Sequence, residues 1–137
     1  MILTEIDHVA IAVHDLEAAI EYYKRAFGAE VHHREVVERD GVEEALIKVA
    51  DSYIQLTTPT RPDSTMAKAL EKRGEGIHHI AFEVDDIHSE IIRLKGEGFV
   101  PLSEEPSKGA DNKWVVFLHP KTTSGVLIEL CQEQGQL

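Results

Sequence analysis

Four side chains in this sequence stand where a metal ion would need them: His8, Gln55, His79 and Glu129. Two segments, Ile6-Asp7-His8-Val9-Ala10-Ile11-Ala12-Val13-His14-Asp15-Leu16 and Ile77-His78-His79-Ile80-Ala81-Phe82-Glu83-Val84-Asp85-Asp86-Ile87, repeat at a constant offset of 71 and set His8 against His79. A second pair, Tyr53-Ile54-Gln55-Leu56 and Leu127-Ile128-Glu129-Leu130, sets Gln55 against Glu129. Each of these polar groups interrupts an apolar strand, where a side chain that finds no partner is costly. One divalent metal would satisfy all four. Two imidazoles with one carboxylate and one amide oxygen form a mixed N/O set suited to Co, Ni, Zn, Mn or Fe and too rich in nitrogen for Ca or Mg. Cysteine-based zinc is excluded, since Cys131 is the only cysteine. A dication with a single carboxylate ligand keeps a net charge of about +1 and would attract an anionic ligand.

The repeat also dictates the elements that position these groups. Val9, Ile11 and Val13, like Ile80, Phe82 and Val84, alternate as in a strand with one apolar face and leave the histidines on the other. Asp15 and Asp86 follow as helix N-caps. Leu16, Ile20, Tyr23 and Phe27, and then Ile87, Ile91 and Leu94, recur at helical spacing and form inward stripes. Gly28 ends the first helix and Gly96 or Gly98 the second. Copy one continues with strands near 30–38, 42–50 and 52–58, and copy two with strands near 99–103, 113–119 and 125–131. The linker Pro59-Thr60-Arg61-Pro62-Asp63-Ser64 and a short helix over Thr65–Arg73, stopped by Gly74, join them. The expectation is an α+β fold: one domain over 1–137 made of two βαβββ modules, about 4–58 and 75–132, paired into a cup-shaped mixed sheet around a metal site.

Composition narrows the function. With 42% hydrophobic and 28% charged residues, a chain of 137 residues is an ordinary globular protein with material for one core. A formal charge of −11 and the absence of a basic stripe argue against nucleic-acid binding. No stretch is apolar enough to span a bilayer and the first residues lack a signal-peptide pattern, so a cytoplasmic location is the default expectation. Cys131, inside an apolar run, reads as a small buried hydrophobe.

Among the eight histidines, His14, His32, His33 and His88 have no repeated counterpart and read as surface residues. His78 points to the face opposite His79. His119, at a strand end before Pro120, is a candidate to line a ligand site. The loop Glu104–Asn112 is the most flexible-looking segment of copy two and a candidate lid or ligand loop.

Four strings, Asp7-His8-Val9-Ala10, Gly76-Ile77-His78-His79-Ile80-Ala81, His119-Pro120-Lys121 and Gly125-Val126-Leu127-Ile128-Glu129-Leu130, resemble the vicinal oxygen chelate (glyoxalase/bleomycin resistance/dioxygenase) superfamily and, within it, the methylmalonyl-CoA epimerase family. The resemblance covers about Ile6 to Cys131. It implies a metal held by His8, Gln55, His79 and Glu129, with cobalt first and nickel, manganese or zinc as alternatives. It also implies a glutamate base in a Gly-Val-x-Glu segment, here Gly41-Val42-Glu43-Glu44, which makes Glu44 the base and leaves Glu43 on the opposite face. The implied reaction interconverts the 2R and 2S epimers of methylmalonyl-CoA by removing the C2 proton through an enolate. A second acid is needed on the far side, with Glu129 or a metal-bound water as candidates. Lys108, Lys113, His119 and Lys121 are candidates for contacts to the acyl-CoA, and the resemblance implies a homodimer. A glyoxalase I-type lyase, a dioxygenase and a non-catalytic small-molecule binder of the same fold stay open at this level.

Overall fold

The computed structural model describes residues 2–133. Met1 and residues 134–137, which the expected 1–137 domain includes, lie outside the described residues. The elements run β1 (Leu3–Ala12), α1 (Leu16–Phe27), β2 (Val31–Val37), β3 (Val42–Val49), β4 (Ser52–Pro59), α2 (Thr65–Arg73), β5 (Gly76–Val84), α3 (Ile87–Gly96), β6 (Ser107–Lys108), β7 (Lys113–Leu118) and β8 (Ile128–Glu133). This is βαβββ written twice with α2 between the copies, an α+β fold.

The helix ends follow the residues that the sequence supplies. The Asp15 side chain accepts from the Ala18 amide at 3.0 Å, and Gly28, at φ 66°, closes α1 with its N–H on the last carbonyls. Ser64 caps α2 and Asp86 caps α3 in the same way. Helix α3 ends on Gly96, with Glu97 as its cap and Gly98 following at φ 94°.

The chain divides into two compact units: residues up to His8 together with those from His79 onward, and Val9–His78. Strands β1 and β5 run through both. In the Val9–His78 unit the strand order is β2-β3-β4-β1, with β2, β3 and β4 joined as antiparallel hairpins. Helix α1 covers one face of these strands: Leu16 and Ala19 pack with Val13, Ala45, Ile47 and Leu56. Phe27, expected to complete the inward stripe, is instead 72% exposed at the last turn, where its ring rests on Tyr23. Helix α2 buries Met66 and Leu70 against Ala12 and Val42.

In the other unit the order is β1-β5-β8-β7-β6. The β5–β8 pair is parallel and β7 runs antiparallel to β8, so the sheet is mixed, as expected. Ile87, Ile91 and Leu94 of α3 form its core with Val84, Val116, Leu118 and Leu130.

Two expectations for copy two are corrected. The strand expected near 99–103 is reduced to a single bridge between Pro101 and Leu118, because proline has no N–H to donate to a ladder. Neighbouring groups still dock on the strand and its end: Leu102 N donates to Phe117 O, and His119 N to Val100 O. The second strand of this copy is Ser107–Lys108, inside the segment expected to be a flexible lid, paired with Val115 and Trp114. Gly109 sits so close to Val115 that a Cβ there would come within 2.8 Å of its side chain. Part of the expected loop is thus a short edge strand paired with β7.

Candidate metal centre and the family

Three strands of one unit converge on a point. His8 comes from β1, His79 from β5 and Glu129 from β8. In the ladders Glu129 lies opposite Ala81 of β5 and Phe117 of β7, and residues opposite one another share a face of the sheet. His79, two residues from Ala81, is on that face too. Ala81 is fully buried, and its small side chain leaves room beside Glu129 for the imidazole. The His79 ring stands edge-on to Phe117, with centroids 5.0 Å apart.

The three ligand atoms form a tight triangle. His8 Nε2 lies 3.2 Å from His79 Nε2 and 3.0 Å from Glu129 Oε1, and His79 Nε2 lies 3.5 Å from the same oxygen. All three residues are buried. Two atoms each about 2.1 Å from one metal ion lie about 3.0 Å apart at a right angle and about 3.4 Å at the tetrahedral angle, so the triangle has the edges of a coordination sphere. The contact of His8 with Glu129 is short enough for an ion pair but is not aligned as a hydrogen bond. Glu129 Oε1 is, among the described residues, a buried side-chain oxygen with no hydrogen bond. A buried carboxylate oxygen in that condition is expensive, and a cation at the centre of the triangle would satisfy it. The residues fit a metal.

The electrostatics agree. Burial alone would raise the Glu129 carboxyl, but His79 and His8 beside it outweigh burial and hold it well below the usual carboxylate range. Burial would likewise lower His8, yet Asp7 and Glu129 outweigh it and raise the imidazole to about 9.

Behind His8 stand two residues that the sequence reading did not connect to it. Asp7 Oδ2 lies 2.7 Å from His8 Nδ1, and Lys113 Nζ donates to Asp7 Oδ1. Lys113, expected among the acyl-CoA contacts, is 9% exposed with its charge on Asp7. Three strand spacings separate β1 from β7, about 14 Å in a flat sheet and more than these two side chains span. The contact therefore requires the β1-β5-β8-β7 sheet to curl toward this face.

The Val9–His78 unit holds the expected Gln55 and Glu44. Gln55 on β4 is buried and donates from Nε2 to Glu44 Oε2 on β3 at 3.1 Å, while Thr57 Oγ1 donates to Gln55 Oε1 at 3.2 Å. Glu43 points the other way, where Arg34 Nε donates to it at 2.7 Å and Arg34 also pairs with Glu17 of α1. The two neighbours face opposite ways: Glu43 lies on the helix side and Glu44 on the face of Gln55. Glu35 lies directly opposite Glu44 in the β2–β3 ladder and is 2.9 Å from His33 Nε2. His33, read as a plain surface residue, is thus part of the row beside Glu44.

Lys108 and Lys121 are exposed. His119 is half-buried and its Nδ1 accepts from the Lys121 amide at 3.2 Å, capping the turn Pro120–Thr122. Cys131 is fully buried and burial pushes its thiol up, in keeping with a structural role.

The family model for the Glyoxalase/Bleomycin resistance protein/Dioxygenase superfamily matches residues 7–117. The chain is 41% identical over 131 residues to the mitochondrial methylmalonyl-CoA epimerase of Homo sapiens, covering 95% of this chain and 74% of the relative. It is 45% identical over 129 residues to the ethylmalonyl-CoA/methylmalonyl-CoA epimerase of Cereibacter sphaeroides, covering 93% and 96%. The solved structure of a variant of Streptomyces coelicolor methylmalonyl-CoA epimerase, in complex with 2-nitronate-propionyl-CoA, superposes with a TM-score of 0.93 at 44% identity, over 98% of this chain and 97% of that one. With the donor triangle, the repeated modules and these likenesses in agreement, the chain belongs to the glyoxalase/bleomycin resistance/dioxygenase superfamily and, within it, to the methylmalonyl-CoA epimerase family.

Proposed function

We propose that this chain is a metal-dependent isomerase that interconverts the 2R and 2S epimers of methylmalonyl-CoA. The observation that carries the reading is the buried triangle of His8, His79 and Glu129 in a chain so close to methylmalonyl-CoA epimerases. Gln55 joins them as the fourth donor on the strength of its repeat equivalence to Glu129 and the family resemblance. A divalent ion held by these residues would supply Lewis acidity toward the thioester and carboxylate oxygens that flank C2. The donor chemistry suits cobalt, nickel, manganese or zinc, with cobalt favoured by the resemblance.

Glu44 takes the C2 proton. The hydrogen bond from Gln55 to Oε2 fixes the carboxylate, so the base is oriented before substrate arrives. Return of the proton on the opposite face needs another group, and Glu129 is the candidate. Glu129→Gln, assayed for exchange with metal content measured in parallel, separates a proton-transfer role from ligation. Lys108, His119 and Lys121 are carried as acyl-CoA contacts, while Lys113, committed to Asp7, is withdrawn from that role.

Among the described residues no helix is long and apolar enough to cross a membrane. A cytoplasmic location and a homodimer complete the proposal. The deciding experiment is solvent-deuterium incorporation into methylmalonyl-CoA with and without a chelator. Exchange that requires metal is the expected result. No exchange by the metal-loaded protein rules out the epimerase, and exchange undiminished by complete chelation rules out the metal's part in it.

A further inference from the structure

We propose that Asp7 and Lys113 are positioning residues of the metal centre, acting on it through His8. The inference rests on the metal reading above and adds to it two residues that ligate nothing. An ionised carboxylate only accepts hydrogen bonds, so the proton of the 2.7 Å contact between Asp7 Oδ2 and His8 Nδ1 sits on Nδ1. In the neutral imidazole that a metal requires, this tautomer leaves the Nε2 lone pair free, and Nε2 is the atom that faces His79 Nε2 and Glu129 Oε1. A carboxylate behind a ligating imidazole fixes its ring orientation and increases its basicity.

Lys113 completes the chain. Its ammonium donates to Oδ1, so both oxygens of Asp7 are held, one by the lysine and one by the imidazole. Lys113 is the first residue of β7, opposite Glu133 of β8, and reaches Asp7 across the curled sheet. Both Asp7 and Lys113 are buried. A buried ion pair is a poor source of stability, because apolar residues of similar volume usually serve as well or better. Its position behind the only ligand contributed by β1 gives it a purpose that stability does not.

The experiment measures Co²⁺ affinity of the full chain by competition with a chromophoric chelator, together with the Co²⁺ visible spectrum and the melting temperature of the metal-free protein. Asp7→Asn weakens Co²⁺ binding by about 10- to 100-fold and perturbs the spectrum, while Asp7→Glu recovers part of the affinity. Asp7→Asn/Lys113→Met removes both charges and leaves none unpaired. It keeps the metal-free melting temperature within a few degrees or raises it, yet binds Co²⁺ at least as weakly as Asp7→Asn. A purely structural pair gives the opposite pattern, with a lowered melting temperature and wild-type Co²⁺ affinity and spectrum in every variant that folds, and that result overturns the proposal. Should Asp7→Asn not fold, the double variant carries the comparison alone. Wild-type protein that takes up no Co²⁺ at a site sensitive to His8→Ala removes the metal reading itself, an outcome distinct from normal binding by the Asp7 variants.

Discussion

Glu44 and Glu43 are neighbours on β3 with opposite commitments: Glu44 Oε2 accepts from Gln55 Nε2 at 3.1 Å, and Glu43 Oε2 accepts from Arg34 Nε at 2.7 Å on the other face. The strand alternation that separates them makes the pair a matched control. Glu44→Gln is expected to lower the rate of C2 deuterium exchange by at least about 10²-fold, the scale of a lost general base, with metal content unchanged. Glu43→Gln removes a half-exposed ion pair and should cost no more than about 1 kcal/mol of stability while leaving exchange near wild type. Parallel mass-spectrometric exchange assays check both. Equal rates for wild type and Glu44→Gln would remove Glu44 from the mechanism.

Metal uptake should release protons. In the metal-free protein His8 is raised to about 9 by Asp7 and Glu129 against the lowering effect of burial, so at neutral pH it carries a proton that a ligating Nε2 cannot keep. Apparent Co²⁺ affinity is therefore expected to rise about tenfold per pH unit from pH 7 toward 9 and then level off, provided His8 is the only linked group. The same group acts on the metal-free fold with the opposite slope. Because its folded pKa lies above the ordinary 6.5, its contribution to stability is full below about 6.5 and is lost as pH rises through about 9. Proton release in a weakly buffered titration with an indicator dye tests the first statement, and urea midpoints across that range test the second.

The repeat made much of this legible from residues alone. Alternation and capping located β1, α1, β5 and α3, because each is a local pattern with a local cause. The cluster of His8, His79 and Glu129, which could hold a metal ion, was visible as a repeated breach of apolar strands. The positioning pair was not. Asp7 precedes His8 on a strand, and strand geometry sends adjacent side chains to opposite faces, so nothing in the sequence joined them. Lys113 is 106 residues away from Asp7, and only the curl of the sheet brings it near. At 99–103 the apolar pattern favours a strand, but Pro101, with no N–H to donate, leaves a single bridge. The β2–β4 boundaries were close to the observed ones, with Gly41 before β3 and the Ala50-Asp51 turn between β3 and β4.

Gln132 supplies a cap that no local motif announces. Its Oε1 accepts from the Ile87 amide at 2.7 Å, both residues being fully buried at the start of α3. Gln132→Leu keeps much of the volume but orphans an amide that has no access to water, which costs about 1–3 kcal/mol. The expected outcome is a lower urea midpoint with an unchanged m-value and little change in metal affinity. A midpoint equal to wild type would show that the amide finds another acceptor.

Gly41 tests whether the hairpin that carries Glu44 must be held rigidly. The residue has φ +65°, which glycine adopts without penalty, and it sits under Arg61. A Cβ built on Gly41 would lie 2.8 Å from Arg61 Cζ and 2.9 Å from Nη1. That guanidinium is engaged, for Nη1 donates to the Glu38 carbonyl, Nη2 to the Arg39 carbonyl and Nε to Asp63, so it ties the linker to the β2–β3 turn. Thr60 N donates to Gly41 O at 2.8 Å from the same side. Gly41→Ala therefore meets two penalties, a strained φ worth about 1–3 kcal/mol and displacement of the arginine from its carbonyls. The strain should lower the melting temperature, and the loosened turn should lower exchange at C2, since Glu44 is three residues further along the hairpin. Arg61→Ala relieves the steric part alone, so Gly41→Ala/Arg61→Ala should be less destabilised than the sum of the two single changes. Additive melting shifts in that double-mutant cycle would show that the close approach of Arg61 contributes nothing to the requirement for glycine.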